Sequence, residues 1–465
     1  MRNLKSASLL LALIFLGSVA QAQTTDIRTE IDQIAKETLE KSGVPSASVS
    51  VVKDAKIFYA NAYGNAKLEP AVPAQTGMRY SIGSISKQFT AAAILLLQED
   101  GKLTLDDKVA KFVPGLTRGD EVTIRQILSH TSGYQDYWPQ DYVPPFMETE
   151  VNAQKILDLW ARKPLDFEPG TKWQYSNTNY VIAGLIIEKA SGMPMFSFIS
   201  QRIFKPLNMT SVANIDQGKL PPADPTGYFR YALGPLRPAP KEGKGWLFAA
   251  GELAMTAEDL QKWNISIINQ TLLKPASYKE MQTEVRLKDG SGSNYGLGLQ
   301  VGSANGHRIL RHGGEVSGFT SNSLILPDDK IAVVALTNQD AVEAASQISR
   351  GIARKLVPAL AMGSGDTKNE ELTRKILSQL ATGQIDRSLF SDNANAYFNE
   401  TALKDYAVTL APIGALGNLR QTSTGLRGGM TFHNYVASFG KKSLGVSMYQ
   451  LADGKVEQFI LTAQE

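Results

Sequence analysis

The chain has 465 residues, 43% hydrophobic and 20% charged, with 39 Gly and 21 Pro, an ordinary globular composition that excludes collagen-like and disordered classes and predicts two or three domains. The absence of cysteine excludes thiol nucleophiles, disulfide frameworks, Cys-ligated metal centres and acylated lipoprotein anchors. The four histidines are scattered at 130, 307, 312 and 433 without an H-E-x-x-H pattern, so no metal or other cofactor is expected.

In chain order, Met1-Arg2-Asn3-Leu4-Lys5, the apolar run Leu9–Leu16 and Ala20-Gln21-Ala22 match the three zones of a secretory signal peptide, cleaved near Ala22. The apolar stretch is shorter than a membrane span requires, so a periplasmic or secreted protein without stable membrane insertion is expected. Removing residues 1–22 takes away Arg2 and Lys5 and no acid, leaving 46 bases against 45 acids. With no basic block, nucleic acid is not an expected partner. Helical spacing predicts an amphipathic helix from Asp26 to Lys41, stopped by Gly43-Val44-Pro45. Ala47–Val52 and Lys56–Ala60 read as a hairpin across Lys53-Asp54-Ala55. Ser86–Asp100 is apolar on nearly every side, which predicts a fully buried helix. Further helices are expected at Thr123–Ser129, Ala153–Arg162, Asn179–Ala190 and Ala257–Ile267. Long aromatic and Pro-rich loops at Tyr134–Phe146 and Pro221–Trp246 lie between them. Strands are expected at Tyr295–Leu299, Ser323–Leu326 and Ile331–Leu336. The fold class is therefore α+β: an antiparallel sheet built from distant parts of the chain, flanked by helices, beside an all-helical lobe.

Three units follow: residues 1–22 as signal peptide, 23–362 as the main domain, and 369–465 as a small α+β domain behind a glycine-rich linker at 363–368. The small domain opens with a helix through Leu372, Ile376, Leu377 and Leu380. It closes with strands Leu444–Tyr449 and Val456–Leu461, joined across Asp453-Gly454. Helices followed by an antiparallel sheet resemble the cone-shaped nuclear-transport-factor-like fold, with no residue motif behind the likeness.

Chemistry concentrates in Ser84-Ile85-Ser86-Lys87, Tyr175-Ser176-Asn177 and His312-Gly313-Gly314. Ser-x-x-Lys also occurs at Ser50–Lys53 and Ser438–Lys441, but both copies lie in strand patterns, where positions i and i+3 face opposite ways. Ser84 precedes the buried helix, where backbone N–H groups favour developing negative charge, and Lys87 follows one turn later on the same face. A desolvated lysine can take the proton of a serine hydroxyl. On this pair alone, an N-cap serine with a solvated lysine is the favoured reading.

The three motifs together, with Ile127–Gly133, Ala250–Thr256 and Gly313–Phe319, resemble the penicillin-binding-protein and class C β-lactamase group of serine hydrolases, which includes D-aminopeptidases and carboxylesterases. The likeness runs from about Ile27 to about Ala353 and reverses that preference. The resemblance implies Ser84 as acylated nucleophile, Lys87 as its activator and Tyr175 as proton shuttle. It implies Asn177 as a donor to the substrate carbonyl region, and His312, Gly313 and Gly314 on a strand edge lining the site. The backbone N–H groups of Ser84 and Glu315 would form the oxyanion hole. Where β-lactamases of the group carry Lys-Thr-Gly, this chain has an imidazole at His312, largely neutral at pH 7, which favours ester, peptide or amide substrates over β-lactams.

The expected protein is an exported serine hydrolase cleaving a small ester or amide bond of a small molecule or short peptide. The alternatives are a D-amino-acid peptidase or β-lactamase acting on cell-wall-type substrates, and a penicillin-recognising sensor without turnover. Oligomeric state is not legible. Ser391-Asp392-Asn393 is read as a chance likeness to a class A β-lactamase motif, and His130 as a structural residue serving helix-end carbonyls. Tyr137, Trp138, Tyr142 and Phe146 either wall a substrate cleft or cover the core. A chain ending near Gly365 is expected to remain folded and esterolytic.

Overall fold

The computed structural model describes residues 26–218, 220–360, 369–427, 430–440, 442–451 and 453–464. The signal-peptide and linker expectations at 1–22 and 363–368 lie outside them.

Helix α1 (Ile27–Ser42) is capped by Asp26 and ends at Gly43 with φ of 70°. It is followed by the hairpin β1 (Ser46–Lys53) and β2 (Lys56–Leu68), then β3 (Ala71–Pro73). The chain then leaves the sheet for the helical lobe. It returns as β4 (Gln300–Ala304), β5 (His307–Val316), β6 (Phe319–Leu326) and β7 (Ile331–Thr337). Strand order is β3-β2-β1-β7-β6-β5-β4. The β1–β7 pairing is antiparallel in the register Ala47↔Thr337 and Val51↔Val333. β1 and β7 are buried on both faces, because α1 and α6 (Ala344–Leu356) cover one side and the lobe covers the other. That double cover explains why these strands read as continuous apolar runs rather than alternating ones.

In the lobe, α2 (Ser86–Glu99) is buried at every position from Ser86 to Leu97, as its all-round apolar pattern requires. α3 (Ile124–Leu128) starts with a capping box between Thr123 and Gln126. The helical stretch Ala153–Ala161 widens to π-type spacing from Leu157. α4 (Thr178–Ser191) and α5 (Ala257–Asn269) complete the frame. No single described helix is long and apolar enough to cross a membrane.

Two sequence expectations change. Tyr295–Leu299 is irregular, and the strand begins at Gln300. Leu297 and Leu299 are buried as their alternation suggests, but Gly298 takes φ of 77° where the chain touches α2. A Cβ there would stand 2.7 Å from the Lys87 carbonyl oxygen, so close approach rather than pairing decides the backbone. The second change concerns Pro221–Trp246, read as a loop. Its Tyr231, Ala232 and Leu233 belong to the core of the C-terminal unit.

That unit consists of α7 (Glu370–Leu380), α8 (Asp392–Tyr397) and α9 (Glu400–Leu410), then a meander of β8 (Leu419–Arg427), β9 (Met430–Phe439), β10 (Lys442–Gln450) and β11 (Val456–Ala463). Burial alternates along β9, so the helices cover one face. Ser391 caps α8, accepting from Ala394 N at 3.1 Å, a structural role that matches the chance reading of Ser-Asp-Asn. Ser50 sits in β1 bonded to the Tyr59 carbonyl, and Ser438 in β9 faces Ser443.

Candidate active site

Ser84 sits in a single 3-10 turn, Gly83–Ile85, that runs into α2. Gly83 has φ of 49°, and a Cβ on it would lie 2.6 Å from Glu315 N. Only glycine lets the nucleophile turn press against β5 this closely. The nucleophile turn therefore lies directly against the Glu315 backbone. Because β4 pairs with β5 only from His307 to Arg311, the stretch His312–Val316 is a free strand edge.

Lys87 is fully buried. Its Nζ lies 2.9 Å from Ser84 Oγ, 2.8 Å from Asn177 Oδ1 and 2.8 Å from the Ala250 carbonyl oxygen. Burial drives its pKa well below the usual lysine value, with the Arg427 charge adding to the effect and Asp136 opposing it. In the neutral amine, two hydrogens go to Asn177 and Ala250, and the lone pair is left for the serine proton. Tyr175 is raised by burial and is therefore a neutral phenol at pH 7. Its hydroxyl is buried without a hydrogen-bond partner among the described residues, and Lys87 Nζ stands 5.0 Å from its ring centre.

Asn177 is oriented from below. Asp136 Oδ1 accepts its backbone N–H at 2.9 Å, and its Nδ2 donates to the Trp138 carbonyl at 3.0 Å and to Asp136 Oδ2 at 3.4 Å. Both amide hydrogens thus have partners within the protein, and Oδ1 accepts from Lys87. Asp136 is itself 5% exposed, and burial raises its pKa.

His312, expected to line the site, has both ring nitrogens engaged within the protein. It is 5% exposed, with Nε2 2.8 Å from the Tyr295 hydroxyl and Nδ1 2.5 Å from the Gly313 carbonyl. Nδ1–H donates to that carbonyl and Nε2 accepts from Tyr295, so neither nitrogen is left for a ligand. Burial, then Lys87, lowers its pKa to about 3. The preference for anionic over neutral substrates is therefore expected to stay flat from pH 8 to 5 once Lys87 titration is factored out, measured as a kcat/KM ratio. His312→Gln should shift that ratio less than about twofold while costing roughly 1–3 kcal/mol of stability from the broken buried bonds. Gly313 is exposed on the edge, whereas Gly314 is buried, and a Cβ there would meet the Ile82 carbonyl at 1.9 Å.

Several residues do more here than their sequence positions suggest. His130 does not serve helix carbonyls. Its backbone has φ of 60°, its Nδ1 accepts from Ser176 N at 3.1 Å, and its ring lies 4.2 Å from that of Tyr175. Burial, then Lys87, keeps it neutral, with a pKa well below the usual histidine value, and it braces the second motif. Tyr137, Trp138 and Tyr142 wall the pocket beside Ser84, while Phe146 stacks on Trp160 outside it. Arg427, at the end of β8, lies over the Tyr175 ring at 5.7 Å, forms a parallel backbone bridge with Tyr175, and lines the same pocket. It donates to Asp141 Oδ1 at 2.8 Å and to Tyr449 Oη at 2.9 Å. Gln458 Oε1 accepts from Asp141 N at 2.6 Å, Tyr142 Oη donates to the Glu457 carbonyl at 3.2 Å, and Gln140 donates to Glu457. The C-terminal sheet therefore holds the aromatic loop over the serine, and the free space left at Ser84 is about 40 Å³, room for a few waters. Among the described residues no group of three or more His, Asp or Glu is placed to hold a metal.

Residues 31–355 match the Beta-lactamase family, and the chain belongs to it, a family of serine hydrolases. The protein flp of Staphylococcus aureus strain N315 is 29% identical over 326 residues, 68% of this chain and 64% of its own length. The match thus spans under two thirds of that relative. A D-stereospecific amidohydrolase from Streptomyces sp. superposes with a TM-score of 0.62 at 27% identity, over 72% of this chain and 99% of its own. An octameric penicillin-binding protein homologue from Pyrococcus abyssi shares the fold, with a TM-score of 0.62 at 22% identity, over 93% of this chain and 99% of its own.

Proposed function

We propose that the protein is an exported serine hydrolase that cleaves an ester or amide bond through an acyl-enzyme at Ser84. The observation that carries this is the buried Lys87 amine, 2.9 Å from Ser84 Oγ with its other two contacts fixed. As Oγ attacks the carbonyl carbon, Lys87 takes its proton, and the carbonyl oxygen develops charge toward the Ser84 and Glu315 amides. Tyr175, a neutral phenol with an uncommitted hydroxyl, hands a proton to the leaving group. The acyl-serine ester is then attacked by water, whose proton passes back through Tyr175 or Lys87. Export rests on the residue pattern of positions 1–22. Similarity to a D-stereospecific amidohydrolase favours D-amino-acid amides as a second substrate class beside simple esters.

Intact-mass spectrometry tests the assignment. A fluorophosphonate should add once, at Ser84. p-Nitrophenyl acetate and D-phenylalanine amide should turn over, and penicillins should acylate slowly or not at all. Fluorophosphonate labelling elsewhere, with Ser84 unmodified, overturns the reading.

A further inference from the structure

The uncovered face of the C-terminal sheet looks across a cleft of about 1100 Å³ onto α1 and α6 of the catalytic domain. Asp141, Glu315 and Arg427 line both this cleft and the small space at Ser84, so one layer of side chains lies between the two. Its acids are already committed. Glu37 pairs with Lys41 at 3.6 Å, Glu343 with Arg350 at 3.4 Å and Asp141 with Arg427 at 2.8 Å. Glu315 accepts from Ala341 N at 2.7 Å, and burial holds its carboxyl well above the usual range. Three cations are left over. Arg311 on β5 has only the neutral Gln300 Oε1, 2.8 Å from its Nε, and Arg354 on α6 and Arg420 on β8 line the same cleft. None of the three forms an ion pair among the described residues. Arg350 and Glu343 also line the cleft; burial, then the Arg350 charge, disfavours the charged form of Arg311, and Glu343 opposes this in part. Guanidinium groups gathered in one cleft without matching carboxylates repel one another, and an anion between them removes that cost. The rest of the sheet face offers hydroxyls and amides such as Thr422, Asn434 and Ser447.

We propose that this interdomain cleft is an extended substrate site that binds a peptide-like chain bearing side-chain carboxylates, held by Arg311, Arg354 and Arg420 while its scissile bond lies at Ser84. It deepens the proposed function and rests on it. The space at Ser84 holds only the reacting group, so the bulk of a longer substrate goes to the cleft.

Binding to the Ser84→Ala protein tests this without turnover. A fluorescein-labelled tetra-glutamate peptide should bind roughly tenfold more tightly than its tetra-glutamine analogue at low salt, with the advantage shrinking as salt rises. Adding Arg311→Gln, Arg354→Gln and Arg420→Gln should abolish the preference, and Lys at all three positions should retain part of it. In a protein with Ser84 intact, the three Gln substitutions should leave fluorophosphonate labelling within about twofold. Equal binding of the two peptides, or a preference that survives the Gln substitutions, overturns the proposal. If the Gln variant does not fold, a wild-type preference insensitive to salt overturns it instead. Failure of Ser84 to label in the wild type would sink the hydrolase reading and is scored separately.

Discussion

Ser84→Ala abolishes ester turnover and fluorophosphonate labelling, a loss of roughly 10⁴-fold or more in kcat, while Ser50→Ala and Ser438→Ala leave both near the wild-type level. The three serines share the Ser-x-x-Lys spacing, but among the described residues only Ser84 has a lysine amine within bonding reach. Lys87→Met should fall almost as far, because the serine then has no base. Labelling of the Ser84→Ala protein at the wild-type rate would sink the nucleophile assignment. The expected pH profile follows from the buried amine. Its pKa lies well below the ordinary lysine value, so kcat/KM for a neutral ester rises as Lys87 deprotonates and reaches its plateau far below pH 10.5. An acid limb running up to about pH 10 would mean that Lys87 is solvated as an ordinary lysine is.

A chain ended after Leu360 keeps its two catalytic-domain cores but loses activity. From sequence alone a chain ended near Gly365 is expected to remain esterolytic, since all three motifs precede the cut. The structure changes the expectation. Truncation strips Arg427, Tyr449, Glu457 and Gln458 from the loop that carries Gln140, Asp141 and Tyr142, and that loop continues directly from Asp136 and Trp138, which orient Asn177. It also uncovers Tyr231, Ala232 and Leu233. Loosened positioning of this kind is worth on the order of 10- to 100-fold in kcat/KM, measured with p-nitrophenyl acetate, alongside increased binding of a hydrophobic dye. Full activity in the fragment would show that the loop holds its place unaided.

What was legible in the sequence is local. Ser84 and Lys87 are three residues apart at the start of a helix whose burial is written in its composition, so their meeting follows from helical geometry. The sheet's central strands announce themselves as β-branched runs. Tyr295 could not be linked to His312, because the bond that consumes the imidazole joins an irregular segment to a strand across a glycine turn. His130 reads as a helix-end residue, and its stacking on Tyr175 depends on how two loops cross. Arg427 is an arginine in an ordinary strand of another domain, and nothing within ten residues of it hints at a serine more than three hundred positions earlier. Alternating Leu297 and Leu299 mimic a strand, because burial imposes the same pattern on any segment that passes its side chains into a core.

The pairing of β1 with β7, Ala47 against Thr337, also bears on time. The first hairpin of the sheet has no central partner until nearly the whole catalytic domain has been synthesised, and closing so long a loop costs entropy before any ladder bond repays it. Assembly is therefore expected to be slow, with the lobe helices and the β5–β6–β7 meander forming first and the β1–β2 hairpin docking last. The nucleophile turn contacts β5 and β6, and the aromatic loop waits for β8 and β11. Catalytic competence thus arrives only at the end of maturation, after both domains have closed around Ser84.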